Sequence, residues 1–147
     1  MSLLSASILF ADIRVGETFP PFKLVDQFDK TVKIERRGVT TLLLSFQKGV
    51  SSEINRYIES KAKTFLKEHN ILYISDVSNI PSLILSWFAI PKMQKFDFKI
   101  ALIYDKELSK IVPREEDRVT VVTLLDNNVT SIKFVEPKVL DTLFFLP

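Results

Sequence analysis

The sequence predicts an α/β sandwich: a mixed central sheet with an N-terminal β-hairpin and helices on both faces. Three observations carry this. Two near-continuous apolar runs, residues 40–46 (TTLLLSF) and 71–77 (ILYISDV), have the character of strands covered on both faces. Between them lies a segment of helical periodicity, the pattern of a parallel strand pair joined by a right-handed crossover. Late in the chain, two strand-like runs flank Asp126-Asn127-Asn128, a hairpin-turn signal.

Each element can be justified in order. Residues 18–26 (TFPPFKLVD) begin with a double proline and then alternate Phe22 and Leu24 with Lys23 and Val25, as an edge strand does. Residues 27–30 supply a polar turn, and 31–35 (TVKIE) alternate again, completing a hairpin. Gly38 precedes the first buried strand. In the following helix Ile54, Tyr57, Ile58, Ala62, Phe65 and Leu66 form one apolar face. Ser51 or Ser52 can cap its start, Glu53 suits its positive end, and Asn70 stops it. After the second buried strand, residues 81–90 (PSLILSWFAI) form an apolar segment opened by Pro81 and closed by Pro91. Residues 100–104 (IALIY) read as a short strand ended by Asp105-Lys106-Glu107. Residues 118–125 and 129–135 form the closing hairpin. Pro137 opens a last helix with Val139, Leu140, Leu143 and Phe144 on one face. The 147 residues suit one domain, expected over 12–147, and 46% apolar against 26% charged residues can build a core.

Composition excludes several function classes. With no cysteine, the chain cannot form disulfides, thiolate metal sites, iron–sulfur clusters or a thiol redox cycle of its own. One histidine, His69, leaves no multi-histidine metal centre, and a surface cap at a helix end is its plainer role. The three glycines, Gly16, Gly38 and Gly49, lack the spacing of a phosphate-cradling loop, so no cofactor is expected. The net charge of +2 is interspersed, as at Lys61, Lys63, Lys67 and Glu68, and provides no footprint for nucleic acid. Asp105, Glu107, Glu115, Glu116 and Asp117 read as solvated acidic turns rather than a cation site.

Residues 3–11 (LLSASILFA) are apolar or small and uncharged, and too short for a membrane span, which takes about 20 residues. They resemble the tail of a secretory signal, with Ala11 before a cleavage point and no basic n-region. Residues 1–11 are therefore expected to be a signal remnant and the domain to be periplasmic or otherwise exported. An N-terminal strand is the alternative.

The order of elements and several short phrases resemble the thioredoxin fold, in its peroxiredoxin and TlpA-like branch. Residues 15–24 (VGETFPPFKL) are similar to that branch's opening, and 26–32 (DQFDKTV) to its first hairpin turn. Residues 98–106 (FKIALIYDK) resemble its short strand ended by aspartate, and 121–127 the strand before its last hairpin. The nearest likeness is to cysteine-free periplasmic proteins of the YtfJ type, through residues 46–55 (FQKGVSSEIN).

The resemblance implies a reactive corner where the first parallel strand meets its helix. Redox relatives carry a nucleophilic cysteine there, and here the position falls on Val50 or Ser51. The slot of the relatives' cis-proline falls near Val119 and Thr120, and Arg118 lies out of register with the peroxiredoxin arginine. With every hallmark gone, the resemblance implies a scaffold without its chemistry.

The candidate ligand set is Lys48, Ser51, Ser52 and Thr120, suited to a small anion or a carboxylate at a helix N-terminus. As nucleophiles, Ser51 and Ser52 lack a neighbouring histidine or a nucleophile elbow, and capping is their plainer role. Trp87 and Phe88 lie in a segment apolar all round. It is either a deeply packed helix or an exposed patch for a partner, a homodimer mate or lipid. The leading expectation is a non-catalytic domain binding a protein or small anionic ligand. An enzyme with thiol-independent chemistry at Lys48, Ser51 and Ser52, and a structural subunit of an envelope assembly, are the alternatives.

Overall fold

A computed structural model of the chain describes residues 12–34 and 37–145. The signal and N-terminal-strand readings of 1–11 lie outside the described residues. Seven strands form one sheet in the order β2-β1-β5-β4-β3-β6-β7. They are β1 (Leu24–Asp26), β2 (Thr31–Val32), β3 (Val39–Ser45), β4 (Ile71–Asp76), β5 (Ala101–Ile103), β6 (Val119–Leu125) and β7 (Asn128–Val135). β3 pairs parallel with β4, and β4 with β5. The hairpins β1–β2 and β6–β7 close the two sides antiparallel.

The predicted mixed sheet, N-terminal hairpin and two-sided helix cover are all present. β3 is central because its side chains serve both faces. Leu42 and Leu44 enter one core with Ile74, Val122 and Leu108, while Leu43 enters the other with Tyr73, Ile54 and Val121. All three leucines are no more than 1% exposed, which is why the run carries no polar alternation.

Helix α1 (Lys48–Glu59) lays Val50, Ile54 and Ile58 on the second core. Each such burial contributes roughly 1.5–3 kcal/mol relative to exposure. The predicted single helix to Asn70 is broken: α1 stops at Glu59, and a one-turn α2 (Phe65–Glu68) follows. Phe65 keeps its place in the core, so the apolar spacing outlasted the break. Asn70 does end this region, in the left-handed conformation (φ 49°) that asparagine tolerates.

Three further elements correct the sequence reading. The segment after β4 does not close at Pro91. Helix α3 runs over 82–93 as Ser82–Ile84, a π-helical turn Leu85–Ala89, and Ile90–Met93, with Pro91 inside its last stretch. A wider π turn shifts the backbone pattern just before the proline, whose ring and missing N–H an unbroken α-helix would resist. Nor is α3 deeply packed: Leu85 is its buried residue, while Leu83, Trp87 and Phe88 are 67%, 70% and 68% exposed. The acidic stretch after β5 is a short helix, α4 (Lys106–Ile111), capped by Asp105 accepting from the Glu107 amide. It buries Leu108 and Ile111 on the face opposite α1. Gln27, read as part of a polar turn, is 1% exposed. Its amide bonds the Phe98 carbonyl (2.7 Å) and the Ile100 amide (2.8 Å), fastening the hairpin to the chain between α3 and β5.

The strands of the N-terminal hairpin are shorter than predicted, and β1, read as an edge strand, lies between β2 and β5. β1 covers only the last part of 18–26, with Thr18 making an isolated bridge to Asn128, and β2 stops at Val32. Turn chemistry accounts for the hairpins. Asp26 accepts the amides of Phe28 and Lys30, and Asp126 and Asn127 take positive φ between β6 and β7. Gly38 (φ 75°) enters β3 in a conformation that favours glycine, and its amide donates to Asp126. A 3₁₀ turn (Pro137–Val139) leads into α5 (Leu140–Phe145), which packs Leu140 beneath α1.

A cavity at the carboxyl ends of the parallel strands

The parallel strands β3, β4 and β5 end on one side, where loops and helix starts gather. A cavity of about 390 Å³ opens there, between the start of α1, the end of β4 and one face of α3. That size lies within the range of small-molecule pockets. Its polar floor includes Ser51, Tyr73 and Ser75, whose hydroxyls gather around that of the fully buried Ser45 behind them. The Oγ atoms of Ser45 and Ser51 are 2.7 Å apart, with Ser75 Oγ at 3.4 Å and Tyr73 OH at 3.5 Å from Ser45. Register explains the gathering, because Ser45 pairs with Ser75 and Leu43 with Tyr73 on adjacent parallel strands. Burial raises the Tyr73 pKa above its usual 10.0, against an opposing pull from the surrounding serines, so the phenol stays protonated.

Apolar side chains make the walls. Ile84, Phe88, Ala89 and Met93 come from one face of α3, facing Phe46 and Ile80. Asn55, one turn beyond Ser51, also lines the space, and its Oδ1 is buried without a hydrogen-bond partner. At the rim stand Lys48 and Lys92, both exposed. Asp76 is the lining carboxylate, and its side chain is 3% exposed. It accepts from Ser109 Oγ at 2.6 Å and lies 3.6 Å from the Arg114 guanidinium. Arg114 in turn sits 3.7 Å over the Phe46 ring and donates to the Ser109 carbonyl. Desolvation lowers the Arg114 pKa from its usual value while Asp76 pulls it up.

The sequence-derived candidates separate in space. Lys48, Ser51, Ser52 and Phe88 come together at the cavity; Thr120 and Trp87 do not line it. Thr120 is 0% exposed and donates to the Pro113 carbonyl at 2.9 Å. It alternates with Val119 and Val121, which pack on the α1 side, so its side chain belongs to the opposite face. Neither Ser51 nor Ser52 caps α1, because the helix begins at Lys48 and Gln47 is its N-cap residue. Glu53 consequently lies past the first turn. Gln47 makes no capping bond; its side chain joins Asp117 instead. His69 ends α2 against the rings of Phe65 and Phe144, near the start of β4 and hence away from Ser51. Arg118 lies 3.8 Å from Glu136, and Arg114 is the guanidinium beside the cavity.

Nothing in the sequence singles out Tyr73, Ser75, Asn55 or Arg114. Each looks ordinary in its own segment, and only strand register and chain crossing bring them together. Among the described residues, no helix is long and apolar enough to cross a membrane, and no group of three or more histidine or acidic side chains is placed to hold a metal.

No family model matches the sequence, and no curated protein does. Solved structures do match in fold. The thioredoxin domain of a thiol-disulfide oxidoreductase from Bacteroides vulgatus superposes with a TM-score of 0.57 at 8% identity, over 90% of this chain and 96% of that one. A protein from Bacteroides thetaiotaomicron, proposed to be a protein disulfide isomerase, gives 0.57 at 18% identity, over 83% and 79%. A peroxiredoxin-like protein from Aquifex aeolicus gives 0.55 at 10% identity, over 86% and 79%. At these identities the likeness establishes the fold, which is thioredoxin-like. The chain has that fold without a single cysteine.

Proposed function

We propose that this thioredoxin-fold chain is a non-catalytic binding domain, and that its binding site is the cavity at the carboxyl ends of β3 and β4. One observation carries the reading. Where redox proteins of this fold do thiol chemistry, this chain has an apolar-walled cavity of about 390 Å³ floored by hydroxyls. Thiol–disulfide exchange needs sulfur, and the sequence has none to offer. Serine chemistry needs a base. Ser51 is bonded to another serine, and no hydrogen bond joins Lys48 to Ser51 or Ser52 among the described residues. A cavity with apolar walls and a few convergent polar groups is suited to binding.

The test has two arms. Fragment screening by amide NMR is expected to move resonances of 46–55, 75–80 and 84–93. An absence of shifts there rejects the binding site. Insulin-reduction and peroxide-consumption assays are expected to show no turnover, and turnover in either rejects the non-catalytic reading.

The finer assignment is an exported protein similar to the YtfJ type, a proposal that rests on residues 3–11 and 46–55 alone. Fractionation of a tagged full chain checks it, with envelope recovery expected and purely cytoplasmic recovery contradicting it. A second reading, association with a protein partner or another copy, is favoured by the 70% exposure of Trp87, which does not line the cavity.

A further inference from the structure

We propose that the cavity takes an amphipathic organic anion: an alkyl or aryl body ending in one carboxylate. This rests on the binding reading above and names the chemistry of its ligand. Lys48 and Lys92 line the cavity, and neither has a carboxylate partner among the described residues. The lining carboxylate, Asp76, is already matched by Arg114. Among the lining side chains positive charge is therefore in excess, Asp117 lying outside them on Gln47, and this favours an anion and disfavours an amine.

The donors point the same way. Gln47 is turned to Asp117, so no side chain caps α1, and its first-turn amides are left for an acceptor. The Ser51 and Ser52 hydroxyls line the same wall. Inorganic phosphate or acetate would satisfy this corner alone and leave the rest of the cavity without a partner. The apolar walls require a body. Phe88 is 68% exposed and Ile84 51% although both line the cavity, and an alkyl or aryl group inserted there would cover them. At about 390 Å³ the cavity lies near the lower end of small-molecule pockets, suited to a small acid rather than a long-chain lipid. The π-helical turn contributes Phe88 and Ala89 to this wall, consistent with the frequent occurrence of π turns at functional sites.

Isothermal titration calorimetry on the full chain tests this with octanoate, 3-phenylpropanoate, acetate, 1-octanol and octylamine, with amide NMR to locate binding. One or both of the larger acids are expected to bind at the cavity, and their comparison distinguishes an alkyl from an aryl body. Acetate, octanol and octylamine are expected to bind more weakly. A Lys48→Gln, Lys92→Gln double variant, both positions being exposed, is expected to keep its folded spectrum and lose about fivefold or more in affinity. Octanol binding as tightly as octanoate, or unchanged affinity in the double variant, overturns the anion assignment and leaves the cavity reading standing. If neither acid binds while screening fragments do, the anion assignment also falls. If nothing binds at the cavity, both fall.

Discussion

The Oγ atoms of Ser45 and Ser51 lie 2.7 Å apart, joining the end of the first parallel strand to the first turns of α1. Ser45 is 0% exposed, so this contact belongs to the interior rather than to a solvated loop. The pair satisfies two polar groups, and its Ser51 member lines the cavity. Without a base to take its proton, it supplies no nucleophile.

Asn55 gives the clearest sign that the cavity is maintained at a cost. Its buried, unpartnered Oδ1 forgoes a hydrogen bond, a penalty of about 1–3 kcal/mol. Asn55→Leu is expected to raise stability by about 1 kcal/mol in urea denaturation and to weaken ligand binding. A clear loss of stability would mean that the amide is satisfied in solution.

Arg114 ties the loop before β6 to the mouth of the cavity through Asp76, Ser109 and Phe46. Removing it leaves a carboxylate whose side chain is only 3% exposed without its cation, although still bonded to Ser109 and to the Ser78 amide. Arg114→Ala is expected to cost about 2–3 kcal/mol. Arg114→Lys should recover only part, because lysine lacks the planar fork. Full stability in the alanine variant would show that the pair contributes nothing.

Tyr73 makes alkaline pH informative. Its folded pKa is raised by burial, so its contribution to stability is complete below its unfolded value near 10.0 and is lost as pH rises through the folded value. Near-ultraviolet absorbance should therefore show this phenol ionising only above pH 10, together with unfolding. Tyr73→Phe should remove that component. Ionisation of Tyr73 at its usual value in the folded protein would contradict the burial.

Trp87 is exposed and does not line the cavity, so Trp87→Ala should change stability by no more than about 0.5 kcal/mol. If the exposed face of α3 mediates association, sedimentation velocity will show a concentration-dependent species that this variant lacks. Association that persists in the variant locates the contact elsewhere.

The strands were readable because burial on both faces leaves its mark in contiguous sequence, as in Leu42-Leu43-Leu44. Turns marked by Asp126 and Asn127 were readable for a similarly local reason. The gap between α1 and α2 was not, since Phe65 returns to the core after the break with the spacing of an uninterrupted helix. α4 was obscured by its charges, only Leu108 and Ile111 reaching the core on their face. At the site, Lys48, Ser51 and Ser52 stood out by their place at a strand–helix junction. Thr120 enters the candidate set only through the slot of a proline that the resemblance implies, and strand alternation sends its side chain to the other face. Gln27 looked like an ordinary turn residue, because nothing nearby in sequence reveals its bonds to Phe98 and Ile100.

The most direct measurement is the amide NMR response to cavity-binding fragments in the wild type and in Ala89→Trp, which places an indole on the lining face of α3. The account predicts shifts at the β3–α1 junction in the wild type that vanish in a variant retaining a well-dispersed spectrum. Shifts that survive the indole unchanged would show that binding occurs elsewhere, and the assignment of this cavity as the site would be wrong.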